Sequence, residues 1–428
     1  MSRANQPVLP HLVMRPLFVA LNLLLTACLL HAQDAPKFRT DADGPASAKA
    51  SKAKPAKGKA PEATLEWYQL VEGQFPPEGS AHAISGELIR SDHLERRFQI
   101  RVDRDDSQDR GVWDLSVDAT LLPYGAIYYH GAPAALQDIP LGTHLRGLFY
   151  LKDPKEKSPL PLGPHNNRQT PDADFRRCFR LEDDFSFHAR QKQSWKIESV
   201  DLATNRFSAT LQQDGKPIGQ PKLFDLLTST RVLKGTGIGD LKSLAPGQTA
   251  LFNLTWATLY GPGRVLEIWL DEPSRQLATA HQLERHRNHI RQRGLPGWVQ
   301  AVDDEKQLVT ITFFGGVDAK LFNELTNTNP EPLGWPFSKN EVNPNAPKGG
   351  IAVARESLMT YDPVNDRKGG NILDIKKIPV EPGSSGVQIT VQCGMMLEGY
   401  RPRRIVRFFP ATWKVIALPR EEEFSGRD

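Results

Sequence analysis

Three aspartates recur at matched places in this chain. Asp92, Asp201 and Asp303 each fall six residues into the segments Gly86-ELIRSD, Trp195-KIESVD and Gly297-WVQAVD. Repeated carboxylates suit acid–base work, but each of these ends an apolar-patterned stretch just before a turn. There an Asp side chain accepts hydrogen bonds from the next backbone amides, which explains it without catalysis. A second set, Asp103, Asp105, Ser107 and Asp109, puts oxygen ligands at alternate positions as a calcium loop does. Gln108 stands where such a loop needs glycine, Asp114 closes it, and Arg104 and Arg110 oppose a cation, so no calcium site is assigned. His281, His286 and His289 share one basic stretch, and the spacing of His286 and His289 would let both face one metal. No carboxylate stands at the matching turn and Arg285, Arg287, Arg291 and Arg293 crowd them, so the reading is a solvated basic face with no metal. Gly235-T-Gly237-I-Gly239 follows a strand but lacks the spacing of a dinucleotide fingerprint and reads as a bare turn. Trp195, Trp269 and Trp298 lie in or at predicted strands and read as core rather than sugar platforms. G-x-S-x-G, H-E-x-x-H and Walker sequences do not occur. No catalytic residue and no cofactor is therefore expected, and the sequence leans away from an enzyme.

The elements around these residues repeat. Twelve places into the three segments stand Phe98, Phe207 and Val309, and the sequence there alternates: Phe98/Ile100/Val102, Phe207/Ala209/Leu211, Val309/Ile311/Phe313. Period two is the mark of a half-buried strand, so each unit opens as a β-hairpin. A looser repeat follows, an apolar residue, a Gly turn and another strand: Ile139-PL-Gly142, Leu244-AP-Gly247 and Val380-EP-Gly383. Ahead of these turns Ala135-LQDI, Gly239-DLKSL and Leu373-DIKKI read as single helical turns, and Arg264-VLEIWLD reads as a last strand. Three strands, a helical turn and two strands is the order of an OB-like five-stranded barrel. In this repeat the chain resembles uncharacterised exported bacterial proteins built from tandem OB-like small β-barrels. The resemblance spans about residues 80–420 and implies topology only, since its pattern contains no catalytic residue.

The expected fold is mostly β: three tandem OB-like small β-barrels with one linking α-helix and a disordered N-terminal tether. The expected divisions are 1–33 signal peptide, 34–63 linker, 64–175 first barrel, 176–272 second barrel, 273–294 helix and 295–428 third barrel. Pro273 suits a first helical turn, Arg291 and Arg293 a last one, and Gly294 a stop. Leu277, Ala280, Leu283 and Ile290 lie along one side of that helix as its docking face. Residues 325–357, dense in Asn, Pro and Gly, read as a long loop.

Leu17 to Leu30 is a 14-residue apolar run behind Arg15, too short to span a bilayer comfortably and suited to an export signal. The long stretch before it leaves Met14 as an alternative start. Leu25-Thr26-Ala27-Cys28 has the form of a lipobox, which would put a lipid on Cys28. Leu29, Leu30 and the following HAQ favour cleavage near Ala32 or Gln33 instead. Residues 34–63 are rich in Ala, Lys and Pro with one aromatic and read as a flexible tether. After cleavage Cys178 and Cys393 remain, read as two separate buried thiols. The 54 Lys and Arg and 50 Asp and Glu divide unevenly. Residues 1–33 carry two basic and no acidic groups, and residues 34–63 seven and four, which leaves 45 and 46 for residues 64–428. A neutral body argues against nucleic acid as partner. The function expected is an exported, periplasmic, envelope or extracellular scaffold or binding protein, non-enzymatic, with an unknown protein or cell-envelope partner. Its membrane contact would come only through a lipidated Cys28. The alternatives are a secreted hydrolase with an unrecognised site and, after that, an OB-type nucleic-acid binder.

Overall fold

The structure is a computed structural model. It describes residues 81–103, 116–151, 173–256, 262–327, 349–354, 370–380, 383–394, 396, 399–402 and 404–413. All lie in one compact unit, Phe38–Asp428. The expected signal peptide and tether with Cys28, the acids from Asp105 to Asp109, and most of residues 153–175 and 325–357 lie outside the described residues.

The fold is mostly β: two closed five-stranded barrels, a half-barrel and one long helix. The first barrel uses β1 (Ala81–Asp92), β2 (Arg97–Val102), β3 (Val117–Tyr129), β4 (Ala132–Pro133), β5 (His144–Leu151) and β6 (Ala173–Asp183). β1 pairs with β2 and β5, β5 with β6, β6 in parallel with β3, and β3 with β2, which closes the ring in OB order. The expected boundary at 175 therefore moves: β6 is the fifth strand of the first barrel, and its partners lie before the insert that separates it from them. The second barrel follows α1 (Asp184–Arg190), with β7 (Gln193–Asp201), β8 (Arg206–Gln213), β9 (Lys216–Pro217), β10 (Lys222–Lys234), β11 (Gly237–Gly239), β12 (Thr249–Leu254) and β13 (Gly263–Trp269). It closes in the same way through a parallel β10–β13 pair. Helix α2 (Glu272–Arg293) leads to β14 (Leu295–Asp303), β15 (Leu308–Phe314), β16 (Gly350–Ala354), β17 (Asn371–Lys377), β18 (Ser384–Gln392) and β19 (Ile405–Pro410). These form an open six-stranded sheet in the order β16-β19-β14-β15-β18-β17.

The repeated hairpins are equivalent down to the backbone. Each first strand carries a bulge at the same place, between Leu88 and Arg90, Ile197 and Ser199, and Val299 and Ala301. A bulge bends and twists a strand, which lets so narrow a sheet curl. Each Asp caps its turn: Asp92 accepts from the Leu94 and Glu95 amides, Asp201 from those of Ala203 and Thr204, and Asp303 from that of Lys306. Four residues on, Arg96, Asn205 and Gln307 take φ of 54°, 52° and 55°. Their carbonyls accept from Leu121, Leu226 and Cys393, each on or beside the strand that lies next to the hairpin.

The last contact shows how the third unit departs from the other two. β18 occupies the place of β3 and β10, and β19 that of β5 and β12, so the strand after Gly383 pairs with β15 rather than β14. The Gly142 and Gly247 turns do precede strands that pair with the first strand of their barrel. Two local expectations fall with it. Leu373-DIKKI is not a helical turn but part of β17, because Ile372 is buried against β18 while its neighbours point out. β16 lies inside the expected loop 325–357, where Ile351, Ala352 and Val353 are buried behind a Gly pair. The turns at Leu136–Asp138 and Leu241–Ser243 are 3-10 helical as read.

Each unit has its own core: Phe98, Leu121 and Phe149 in the first, Phe207, Phe224 and Phe252 in the second, Ile311, Phe313 and Phe408 in the third. Cys178 and Cys393 are buried and free. The first barrel meets the half-barrel through Leu122, Tyr124 and Tyr150 against Trp298 and Phe314. Trp195 and Trp269 are core residues. The bulged strands tolerate no side chain at their start in the third unit, where a Cβ on Gly297 would stand 2.7 Å from the Thr312 carbonyl oxygen. Gly297→Ala should therefore lower stability by about 1–3 kcal/mol. Gly237→Ala, with nothing within 4 Å, should leave the chemical-denaturation midpoint unchanged.

Candidate functional site

Where β6 passes into α1 stand Glu182, Asp183 and Asp184, three consecutive acids that are all buried. A buried carboxylate must find cationic or hydrogen-bonding partners, and each of these finds a different set. Glu182 pairs with Arg180 and Arg190. Burial pushes its carboxyl up, but the two guanidinium groups outweigh that and hold it below the usual range. Asp183 caps α1 through the Ser186 amide at 2.9 Å and accepts from Asn253 Nδ2 at 2.8 Å and the His130 amide at 3.1 Å. Asp184 accepts from His144 Nδ1 and Arg146 Nε, both at 2.9 Å, and from the Leu254 amide at 3.1 Å. Asn253 and Leu254 lie on β12, so these bonds tie the first barrel to the second.

His144 looks at first like the centre of a catalytic relay. Its second nitrogen, Nε2, lies 2.8 Å from Asp103 Oδ2, so the ring is clamped between two carboxylates. Burial works against its charge, yet Asp184 and Asp103 together outweigh burial and raise its pKa from 6.5 to about 10. Both ring nitrogens are engaged by carboxylates, and the side chain is 1% exposed. A general base needs a free lone pair within reach of substrate, and this ring offers none. The cluster is a structural ion network.

His130 is the other joint. It sits at φ 51° with Gly131 at 78° in the tight turn between β3 and β4. Its ring Nε2 lies 3.2 Å from Glu267 of β13, its carbonyl accepts from Thr279 of α2 at 2.7 Å, and its ring stacks on Tyr129 and meets the edge of Trp269. One residue thus touches both closed barrels and the helix. Of these groups the sequence marks only Asp103, as part of an alternating acidic stretch, and Trp269, as a core residue; the others are not singled out. The available signal was polar residues inside otherwise apolar strand runs, as at Asn253 in Ala250-LFNL and at the acids closing β6.

Helix α2 starts on an Asp271 cap with Pro273 in its first turn and stops at Gly294, φ 79°. Its buried residues are Ser274, Gln282, His286 and Ile290; Leu277 and Leu283 are half-buried and Ala280 is exposed. Of the expected aliphatic docking face Ile290 alone is fully buried, in the core of the third unit. The groups waiting for the helix are polar, so donors face inward: Thr279 to the His130 carbonyl, Gln282 to the Pro133 carbonyl and Asp138, Arg275 to the Thr249 carbonyl. His286 is not on a solvated face, as the sequence suggested, but buried, with Nε2 accepting from the Asp318 amide at 3.3 Å. Arg287 pairs with Asp318 and Arg291 with Glu324, the two ends of the 3-10 turn that follows β15. Gly235 begins the turn between β10 and β11, and its amide donates to Asp271, the helix cap.

The outer side of α2 forms one wall of an open cleft of 470 Å³; the 3-10 turn of the first barrel forms the other. Gln137 and Asp138 line it from the turn, and His281, Glu284, Arg285, Asn288, His289 and Gln292 from the helix. Gln137 Nε2 donates to His289 Nδ1 at 3.1 Å, and Asp138 Oδ2 accepts from the Ala135 amide at 2.8 Å and Gln282 at 3.0 Å. Burial, with Arg407 and Arg293 adding to it, pushes His289 down to about 4, so it enters this cleft neutral. The cleft brings two of the three sequence-marked histidines together with Arg285. His286 lies behind it. Among the described residues no group of three His, Cys, Asp or Glu is placed to hold a metal ion.

Two closed OB-order barrels and a half-barrel on one helix define the architecture. No family model matches the chain, and no curated protein matches it. Solved structures of CusF from Escherichia coli, one with Ag(I) and one a tryptophan-to-alanine variant with Cu(II), match at a TM-score of 0.14 and 9% identity. Each covers 19% of this chain and 90% of the CusF chain. So faint a likeness says nothing of ligand.

Above the carboxylate range, the buried histidines shape the pH dependence of stability. Burial lowers His188, His286 and His289 from 6.5 to about 4. Below 6.5 the unfolded chain takes up protons that the fold refuses, so stability should fall as pH drops from 6.5 to 4. His144 is raised, so its contribution is complete below 6.5 and is lost as pH rises through 10. Thermal melting against pH should show a maximum near pH 6.5, with His286→Gln softening the acid limb. His144→Gln should cost about 3–5 kcal/mol at neutral pH, because it strands buried carboxylates.

Proposed function

We propose that this chain is an exported binding protein, not an enzyme, whose body is carried on the tether of residues 34–63 and whose ligand lies in the cleft beside α2. One observation carries the reading. The buried acids and His144 are engaged in holding the barrels together, while polar side chains of α2 and Gln137 line a shallow, open cleft. The apolar run Leu17–Leu30 behind Arg15 supports export, and the near-neutral charge of residues 64–428 supports a partner other than nucleic acid. In this reading the partner is a component of the cell envelope. Cys28 anchors the chain if it is lipidated; cleavage near Ala32 or Gln33 releases it.

Intact-mass measurement of the native protein should show the residues before Cys28 missing, with a diacylglyceryl mass if Cys28 is anchored. A retained N-terminus would remove the export reading. A photo-crosslinker placed at position 288 should capture an envelope component, while one at Lys216, on the exposed β9 hairpin, should not. Equal capture from both places would count against the cleft.

A further inference from the structure

We infer that the cleft beside α2 takes a neutral sugar, a segment of glycan bearing hydroxyl and amide groups. This rests on the cleft being the binding site proposed above, and goes further by naming the ligand class.

The lining itself narrows the chemistry. Among the described residues the side chains lining the cleft are all of polar types, so an apolar ligand would desolvate their polar groups without compensation. Arg285, Asp138 and Glu284 are the charged residues of the lining, and Arg293 and Arg407 stand within electrostatic reach of His289. Charges of both signs are thus mixed in and around the lining, which gives no single-signed field to draw in a phosphate or a polycation. What remains is a neutral ligand rich in hydrogen bonds. Sugar hydroxyls both donate and accept, and the side-chain amides of Gln137, Asn288 and Gln292 do the same.

Part of this lining is also fixed in advance. Gln137 donates to His289 Nδ1, which puts the ring proton on Nε2 and leaves the Gln137 carbonyl oxygen as an acceptor. Asp138 is held through Oδ2 by the Ala135 amide and Gln282, so the carboxylate keeps one orientation. Groups already oriented lose less entropy on binding. Asn288 and Gln292 are exposed on successive turns of α2, placed to follow a ligand lying along the helix axis.

The test is titration of the full chain, by calorimetry and by NMR shift mapping, with three oligosaccharides: neutral chitotriose, neutral cellotriose and anionic trigalacturonate. A neutral oligosaccharide should bind saturably, with shifts centred on Gln137, Asn288 and Gln292. Asn288→Leu, at an exposed position, should weaken that binding about tenfold, roughly one 1.4 kcal/mol step, without changing the melting temperature. Failure of both neutral sugars to saturate would overturn the assignment. So would tighter binding of trigalacturonate or of inorganic phosphate, or affinity unchanged in Asn288→Leu. If the crosslinker at 288 captures a non-carbohydrate component while the sugars fail, the sugar assignment falls and the binding reading stands. Equal capture from 288 and 216 removes both.

Discussion

The compensation of three adjacent buried carboxylates is the constraint on which the arrangement of this molecule depends. Stripping an ionised carboxylate of water costs several kcal/mol unless partners are supplied in good geometry. Glu182 is served within its own neighbourhood by Arg180 and Arg190. Asp183 and Asp184 are not. They need Asn253 and the Leu254 amide from the second barrel as well as His144, Arg146 and the His130 amide from the first. The two barrels can satisfy these acids in one relative orientation, so the polar junction sets direction where apolar contact alone would permit sliding.

The cleft is a consequence of that lock. With β13 fixed against β3 through Glu267 and His130, the chain leaves the second barrel at Asp271 and α2 must cross the first barrel. Its inward face meets carbonyl oxygens and Asp138, and its outward face is left as a row of amides, imidazoles and Arg285 beside the 3-10 turn. The helix then reaches the half-barrel, where Ile290 enters the core and Arg287 and Arg291 meet acids. A site on so well-anchored a helix is held more tightly than one on loops, which favours recognition of a hydrogen-bonded ligand.

The third unit keeps the hairpin and discards the order. Its bulge, its Asp-capped turn and its left-handed Gln307 match the other two units, yet the neighbouring places are filled by β18 and β19. With β17 added outside β18 and β16 outside β19, the sheet stays open at both ends among the described residues. The hairpin is therefore the conserved physical unit within the chain, and closure is a separate property that depends on which strands are available to flank it.

The sequence by itself determined what is local. Alternation fixes which face of Phe98, Phe207 and Val309 is buried, Asp92, Asp201 and Asp303 fix the turns, and Pro273 and Gly294 bracket the helix, because these signals act over a few residues of backbone. Tertiary structure decided the rest. Whether a Gly turn leads a strand to β14 or to β15 depends on pairing between residues far apart, so Gly383 read like Gly142 and led elsewhere. Which side of α2 is buried depended on what it lands upon: Leu277 and Leu283 gave way to Gln282 and His286 because the surface beneath was made of carbonyls and carboxylates. The acids where β6 passes into α1 show the same division. Glu182, Asp183 and Asp184 are visible as charges in the sequence, but only the fold brings His144, Asn253 and His130 to them, from 40, 70 and 53 residues away, and so makes buried charge the fastening of the molecule.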